Sequence, residues 1–178
     1  RYVVFILFST LVTWLMALLI EKAEGKENHK GARKLLILGL ILNFGMLGIV
    51  KYTNFAVENI NALLHLNLRG IQLLLPLGIS FYTFQSSGYL LDVYWKRCKA
   101  ERHPLKYALF VSFFPQILQG PIGRYSRLAD QLYAEHRFEG NNIIRGFERI
   151  LWGFFKKMIL ADWAAAFADA IFEDPAKY

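Results

Sequence analysis

Tyr82, Gln85, Tyr89 and Asp92 stand at i, i+3, i+7 and i+10, so a helix that carries them presents all four on one face. Ser80, Thr83, Ser86 and Ser87 add hydroxyls along the same stretch, and Phe81, Phe84, Gly88, Leu91 and Trp95 form a neighbouring face about 100° away. The surrounding sequence is apolar. Polar groups in a bilayer cost free energy unless they meet partners or water. This helix is therefore expected to face protein or a wet cavity. Hydrogen bonding that joins helices accounts for most of these side chains. The sharper reading is a tunnel wall, with Ser80, Tyr82, Gln85 and Tyr89 as its candidates.

A second stretch, residues 107–122, repeats the theme. Ser112, Gln116 and Gln119 share one helical face, and Pro115 removes a backbone donor and frees a carbonyl one turn earlier. Freed backbone groups at depth can orient a substrate or be absorbed by neighbouring helices. Gln116 and Gln119 join the tunnel candidates. Lys156 and Lys157 lie between the apolar runs 151–155 and 158–160. Two adjacent ammonium groups are expensive at mid-bilayer, so they are expected at the interface, snorkelling. The four histidines, His29, His65, His103 and His136, fall outside every apolar segment and read as solvated surface residues. Cys98 is the single cysteine, which excludes an internal disulfide. Beside Lys96, Arg97 and Lys99 it reads as a plain free thiol more readily than as a lipidation site. No phosphate loop, metal-spaced Cys/His set or nucleophile elbow is present, so no metal and no catalytic residue is assigned.

The elements that must position these groups are membrane helices. The chain is 55% hydrophobic, and residues 2–20 contain no charge, enough to cross a hydrocarbon core of about 30 Å. That run is too long for a signal-peptide core and lacks a small-residue cleavage site. Residues 21–34 form a charged loop, and 35–50 a second apolar segment whose Gly39, Gly45 and Gly48 suit close helix packing. Residues 54–68 place Val57, Ile60, Leu64 and Leu68 on one face and Glu58, Asn61 and His65 on another, the pattern of an amphipathic helix at the interface or packed on protein. Residues 71–95 form the third segment, with a kink or break expected near Pro76 and Gly78. Residues 124–145 are polar, and Gly140-Asn141-Asn142 marks the start of a last helical stretch over about 143–172.

The net charge of +7 does not point to nucleic acid, because the basic residues flank apolar blocks. Topology and anionic lipid headgroups explain them. Residues 21–34 and 96–106 carry five Lys/Arg each and residues 51–70 two, which puts the first and third loops in the cytoplasm. Residues 124–149 are also basic, so 107–122 is expected to re-enter or break and not to span. The fold class is thus all-α, a polytopic helical membrane protein with a polar interior, and residues 1–178 read as a single membrane domain.

Two stretches go further. Leu75-Pro76-Leu77-Gly78-Ile79-Ser80-Phe81-Tyr82-Thr83-Phe84-Gln85, continuing to Asp92-Val93-Tyr94, resembles a signature of the membrane-bound O-acyltransferase family. Tyr107-Ala108-Leu109-Phe110-Val111-Ser112-Phe113-Phe114-Pro115-Gln116, then Gly120-Pro121-Ile122 and Arg124-Tyr125, resembles the same family. So do Phe154-Phe155-Lys156-Lys157 and Leu160-Ala161-Asp162, in the branch that holds the alginate O-acetyltransferase membrane subunit and the D-alanyl transfer protein of teichoic acid synthesis. The likeness is in register over residues 71–170 and confined to hydropathy and helix order before that. It implies a helical ring around a tunnel, of which this chain is the front-to-middle portion. It implies transfer of an acyl group, by preference acetyl, from a cytoplasmic thioester donor to hydroxyls of an extracellular or cell-wall polysaccharide or teichoic acid. It further implies membrane lipids and an acyl-donor protein or a periplasmic or extracellular acetyltransferase as partners, no bound cofactor, and a bacterial cell membrane. The family's basic histidine lies in a motif that none of His29, His65, His103 or His136 matches, so the chain is expected to hold scaffold and tunnel wall without the base. The alternative is a non-catalytic membrane scaffold or transport subunit.

Overall fold

The computed structural model describes residues 3–64, 76–117 and 122–173, with only the backbone of residue 170. Every element in these residues is helical, as expected of the fold class, and the chain divides into two compact units, residues 1–134 and 135–178.

The first unit is built on α1 (Val3–Glu24) and α2 (His29–Leu64), both long and apolar enough to cross a membrane. Their burial is inverted relative to a water-soluble bundle. In α1 the buried positions are Ser9, Thr10, Thr13, Ala17 and Ile20, while Leu7, Leu11, Leu15 and Leu19 face outward. In α2, Gly39 and Asn43 are buried between Leu36 and Leu47, while Ile37, Ile41 and Phe44 are exposed. Small and polar side chains inside, large apolar ones outside, is the distribution that lipid favours: burying Leu gains nothing against hydrocarbon, whereas hydrogen bonds and close approach do hold helices together. The joint is explicit. Ser9 Oγ donates to Asn43 Oδ1 (2.6 Å), and Asn43 Nδ2 donates to Thr13 Oγ1 (3.0 Å) and to the Gly39 carbonyl (2.9 Å). None of this trio stood out in the sequence.

The glycines of α2 divide. A Cβ on Gly39 would meet Leu90 Cδ1 at 2.8 Å and Met16 Cγ at 3.3 Å, so Gly39 does let α2 approach α1 and the segment that carries Leu90 closely. Gly45 and Gly48 have nothing within 4 Å of an added Cβ, which corrects the expectation for them. The separate amphipathic helix is corrected as well. Residues 54–64 continue α2 without a break, and residues 65–68 lie outside the described residues. The polar side chains there do not end the helix because they bond within it: Thr53 Oγ1 donates to the Ile49 carbonyl and Asn59 Nδ2 to that of Phe55 (2.7 Å). At about 1.5 Å per residue, the 36 residues of α2 run well past a hydrocarbon core.

α3 (Ile79–Tyr94) is capped by Gly78, and residues 76–78 before it are not helical; residues 71–75 lie outside the described residues. Gly78 has φ 73° in the left-handed region, and a Cβ there would run into the carbonyl oxygen of Ile117. The expected break near Pro76 and Gly78 is thus a helix start. α4 (Pro104–Val111) and α5 (Phe114–Ile117) are separated at Ser112–Phe113, so the proline-containing stretch is broken; residues 118–121, with Gln119, lie outside the described residues. α6 (Tyr125–Tyr133) falls in the stretch that composition marked only as polar.

The second unit is a nearly continuous helical run, α7 (Gly140–Phe155) and α8 (Asp162–Glu173), joined by a π-helical turn over Lys156–Ala161. It begins at Gly140, as the Gly-Asn-Asn signal indicates. Lys157 Nζ pairs with Asp162 Oδ2 at 2.8 Å, and Lys156 Nζ sits 5.4 Å from the centre of the Trp152 ring. Both lysines are exposed.

Candidate functional site

The four-residue face of α3 is turned inward. Tyr82, Gln85, Tyr89 and Asp92 are each at most 5% exposed, and Thr83, Ser86 and Ser87 are buried beside them, while Phe84 and Trp95 face outward. Gln85 Nε2 donates to the Phe110 carbonyl at 3.3 Å. That carbonyl is available because α4 ends at Val111, so the helix break and the amide that answers it are parts of one arrangement. Among the described residues, the buried hydroxyls of Tyr82, Thr83 and Ser87 have no hydrogen-bond partner, and that of Ser86 lies against the Tyr107 hydroxyl. Several such groups in one region exceed what apolar packing tolerates, since each unmet group costs about 1–3 kcal/mol.

Beside this face lies a cavity of about 250 Å³ whose lining includes Gln85, Tyr89, Asp92, Arg97 and Arg124. A second, of about 500 Å³, is lined by Gln116, Arg124, Arg127 and Gln131 among others. The two share Ile122, Gly123 and Arg124. Of the tunnel candidates, Gln85, Tyr89 and Gln116 thus border this pair of cavities. Ser80, half-buried, and Tyr82, buried, line neither.

Glu101 ties the region together. Its backbone N–H donates to the Tyr89 hydroxyl (2.8 Å) and its carbonyl accepts from Trp14 Nε1 (2.8 Å). Its carboxylate accepts from the Tyr125 hydroxyl (2.6 Å) and the His103 N–H (2.9 Å). The Tyr89 and Tyr125 rings that reach it pack against each other and against Tyr107 and Phe110, with ring centres 4.7 Å apart for Tyr89–Tyr107 and Tyr89–Tyr125 and 5.0 Å for Phe110–Tyr125. Burial raises the Glu101 pKa, but the Tyr125 and His103 hydrogen bonds outweigh it and the net shift is downward. Burial, with the Glu101 hydrogen bond, pushes the Tyr125 phenol up, so it stays a donor. A depressed carboxylate stabilises the fold above its ordinary pKa of about 4.5 and loses that contribution as pH falls through the lower folded value. Melting of the detergent-solubilised protein is therefore expected to fall more steeply below about pH 4.5 in the wild type than in Glu101→Gln, which keeps an acceptor without a titrating group; parallel pH profiles would count against this account.

The loop that holds Glu101 also meets the end of α1. Glu21 accepts from the Ala100 N–H (3.0 Å) and pairs with Arg102 (3.4 Å), and Glu24 pairs with Lys96 (3.1 Å). The end of α1 and the basic loop after residue 95 thus lie together. The Cys98 thiol is half-buried and pushed up to about 11, first by burial and then by Asp92 and Glu21, which makes it a poor nucleophile. Among the described residues no group of His, Cys, Asp and Glu is placed to hold a metal.

The chain is 36% identical over 172 residues to the probable alginate O-acetylase AlgI of Pseudomonas syringae, covering 93% of the chain and 33% of that protein. Against its counterpart in Pseudomonas aeruginosa the figure is 38% over 150 residues, 80% of the chain and 28% of the relative. Over most of its own length the chain is thus similar to relatives named for O-acetyl transfer, in line with the resemblance to the membrane-bound O-acyltransferase family. A peptidoglycan O-acetyltransferase of Helicobacter pylori is 34% identical over 199 residues, covering 97% of the chain and 37% of the relative. The chain spans about a third of the length of these curated relatives. No family model and no solved structure matches it. Its two long apolar helices, together with these relatives, put the protein in a membrane.

Sequence reading found the α3 face because its spacing is local. It missed Glu101, Tyr125 and the arginines of the second cavity as site residues. They come from separate segments, and their only local signal is a basic, aromatic stretch that composition reads as loop.

Proposed function

We propose that the intact protein is a multi-pass bacterial membrane O-acyltransferase. It moves an acetyl group from the sulfur of a cytoplasmic thioester donor to hydroxyls of an extracellular or cell-wall polysaccharide, or of teichoic acid. The observation that carries this reading is the 34–38% identity, over 80–97% of the chain, to relatives named for O-acetyl transfer to alginate and peptidoglycan. In the reaction the acceptor oxygen bonds to the acyl carbon, the carbon–sulfur bond breaks, the thiolate leaves and a base takes the hydroxyl proton. We assign that base to none of this chain's histidines; His29, His103 and His136 are exposed, and His65 lies outside the described residues.

The role proposed for this chain is tunnel wall. Ser80, Tyr82, Gln85, Tyr89, Gln116 and Gln119 are its candidates, supported for Gln85, Tyr89 and Gln116 by the shared cavities. Membrane lipids and an acyl-donor protein or a periplasmic or extracellular acetyltransferase are the proposed partners. Comparing O-acetyl content of secreted and cell-wall glycans with and without the intact gene tests the activity. An unchanged content in every glycan fraction would refute it.

We propose further that residues 107–122 re-enter. Tyr133 Oη donates to the Lys106 carbonyl (2.6 Å) and Tyr125 reaches Glu101, so the chain after the break returns to the loop from which α4 began. In a Cys98→Ser background, Ser126→Cys is expected to react with an impermeant thiol reagent only from the cytoplasmic side. Labelling only from the outside would sink the idea.

A further inference from the structure

The helical run of the second unit is built differently from α1. Between residues 140 and 173 no uncharged stretch exceeds six residues, whereas residues 2–20 are uncharged throughout. Were that run to cross a bilayer as one helix, Lys156 and Lys157 would fall at its middle, where ammonium groups are costly. Yet α7 carries a wide apolar face. Ile143, Ile144, Phe147, Ile150, Leu151 and Phe154 share an arc of about 120° at helical spacing, and all six are exposed. Across the axis stand Asn141, Asn142, Arg145 and Arg149, with Lys156 on the same side. Among the described residues, Arg145, Arg149 and Lys156 take part in no ion pair.

Two features say what covers the apolar face. The first is charge. Residues 140–161 set Arg145, Arg149, Lys156 and Lys157 against Glu148 alone. A face packed into protein asks for no cations on its far side, whereas an anionic lipid surface places phosphates beside them. The second is Trp152, which lies among the cations. Lys156 Nζ is 5.4 Å from its ring centre, and the Phe155 ring stacks on it at 5.1 Å. An indole grouped with ammonium and guanidinium ends is the anchor expected at headgroup level.

We infer that α7 lies in the plane of the membrane on an anionic lipid surface, with its Ile143–Phe154 face among the acyl chains and Arg145, Arg149 and Lys156 at the level of the phosphates. The apolar face then sinks about 5–10 Å below the headgroups, which is deep enough to cover it and shallow enough to leave the cations wet. The lysines at the end of α7 mark where the run meets water or headgroups, so they need no passage through hydrocarbon. The inference does not rest on acyl transfer, since position in the bilayer is measured without turnover.

The test is spin labelling of the intact protein in nanodiscs of mixed phosphatidylglycerol and phosphatidylcholine. Single cysteines enter a background without other cysteines, Cys98→Ser included: Ile143→Cys, Phe147→Cys, Ile150→Cys and Phe154→Cys on one face, Asn142→Cys and Asn141→Cys on the other. Each label is read for collisions with oxygen, which dissolves in lipid, and with a water-soluble nickel chelate. The four apolar-face labels are expected to favour oxygen at one common depth, and the two asparagine positions to favour nickel. A helix crossing the bilayer would instead deepen steadily by about 16 Å from 143 to 154. A face covered by another segment of the protein, or by a second copy, would leave the four labels shielded from both reagents. Either result would overturn the inference. The charge is tested at Phe147→Cys. Replacing phosphatidylglycerol by phosphatidylcholine, or combining Arg145→Gln, Arg149→Gln and Lys156→Gln, should raise nickel contact there at least about twofold. Arg145→Lys with Arg149→Lys should leave it unchanged, because a lipid surface reads charge and not guanidinium shape. If the triple variant fails to fold, 1 M salt on the protein with its cations intact carries the same test, since screening should also raise nickel contact. Nickel contact indifferent to lipid charge and to salt would overturn the anionic surface.

Discussion

Gly78→Ala is expected to destabilise the protein by about 2–5 kcal/mol, through two effects at one position. An L-residue held in the left-handed region costs about 1–3 kcal/mol, and overpacking against fixed backbone costs about as much again. Gly78 stands at φ 73° where α3 begins, and its Cα faces the carbonyl oxygen of Ile117 in α5. The obstacle is main chain and cannot swing aside as a side-chain tip would. Gly88, in the middle of α3, is the control. A Cβ there meets nothing within 4 Å, and replacing a mid-helix glycine with alanine removes backbone entropy from the unfolded chain, so Gly88→Ala should be neutral or stabilising by about 0.5–1 kcal/mol. Thermal melts of both variants in the same detergent decide the matter. Equal midpoints would mean that neither the backbone angle nor the α5 contact matters.

The contrast between these glycines shows what the sequence could and could not convey. The membrane helices were legible because lipid imposes long uncharged runs, and α1 follows residues 2–20 closely. The inward face of α3 was legible because helical spacing is a local property. The end of α2 was not, because hydropathy reports where the chain leaves an apolar solvent and not where its hydrogen-bond ladder stops; Thr53 and Asn59 bond inside the helix and let it continue. Close packing was overread at Gly45 and Gly48, since a glycine marks an approach only when another helix is there to make it. Glu101 was invisible as a hub. It serves Trp14, Tyr89, His103 and Tyr125 from four places in the chain, and no spacing rule links them. Charge counting grouped the loops after α1 and α3, and the Glu21–Arg102 and Glu24–Lys96 pairs bring the end of α1 against the second of them.

Gln85→Ala should lower acyl transfer by the intact protein about tenfold or more, the rate equivalent of about 1.4 kcal/mol. Two causes must be separated. Gln85 lines the smaller cavity, and it also answers the Phe110 carbonyl at the break after α4. Removing the amide leaves that carbonyl buried and unmet, a stability cost of about 1–3 kcal/mol whether or not a substrate passes. Asn43→Ala supplies the comparison. It orphans the Ser9 and Thr13 hydroxyls between α1 and α2, lines neither polar cavity, and should cost a similar amount of stability. If Gln85 acts only through the fold, the two variants will lose turnover in proportion to their melting temperatures. If it lines the path of the acyl group, Gln85→Ala will lose turnover beyond that proportion while Asn43→Ala keeps it. Gln85→Glu sharpens the separation, because an ionised carboxylate cannot donate to the Phe110 carbonyl and places a charge beside Asp92 on the same face. It should be worse than alanine on both measures. Turnover at the wild-type level in Gln85→Ala, with normal expression, would remove Gln85 from the tunnel and leave it a bond between α3 and α4.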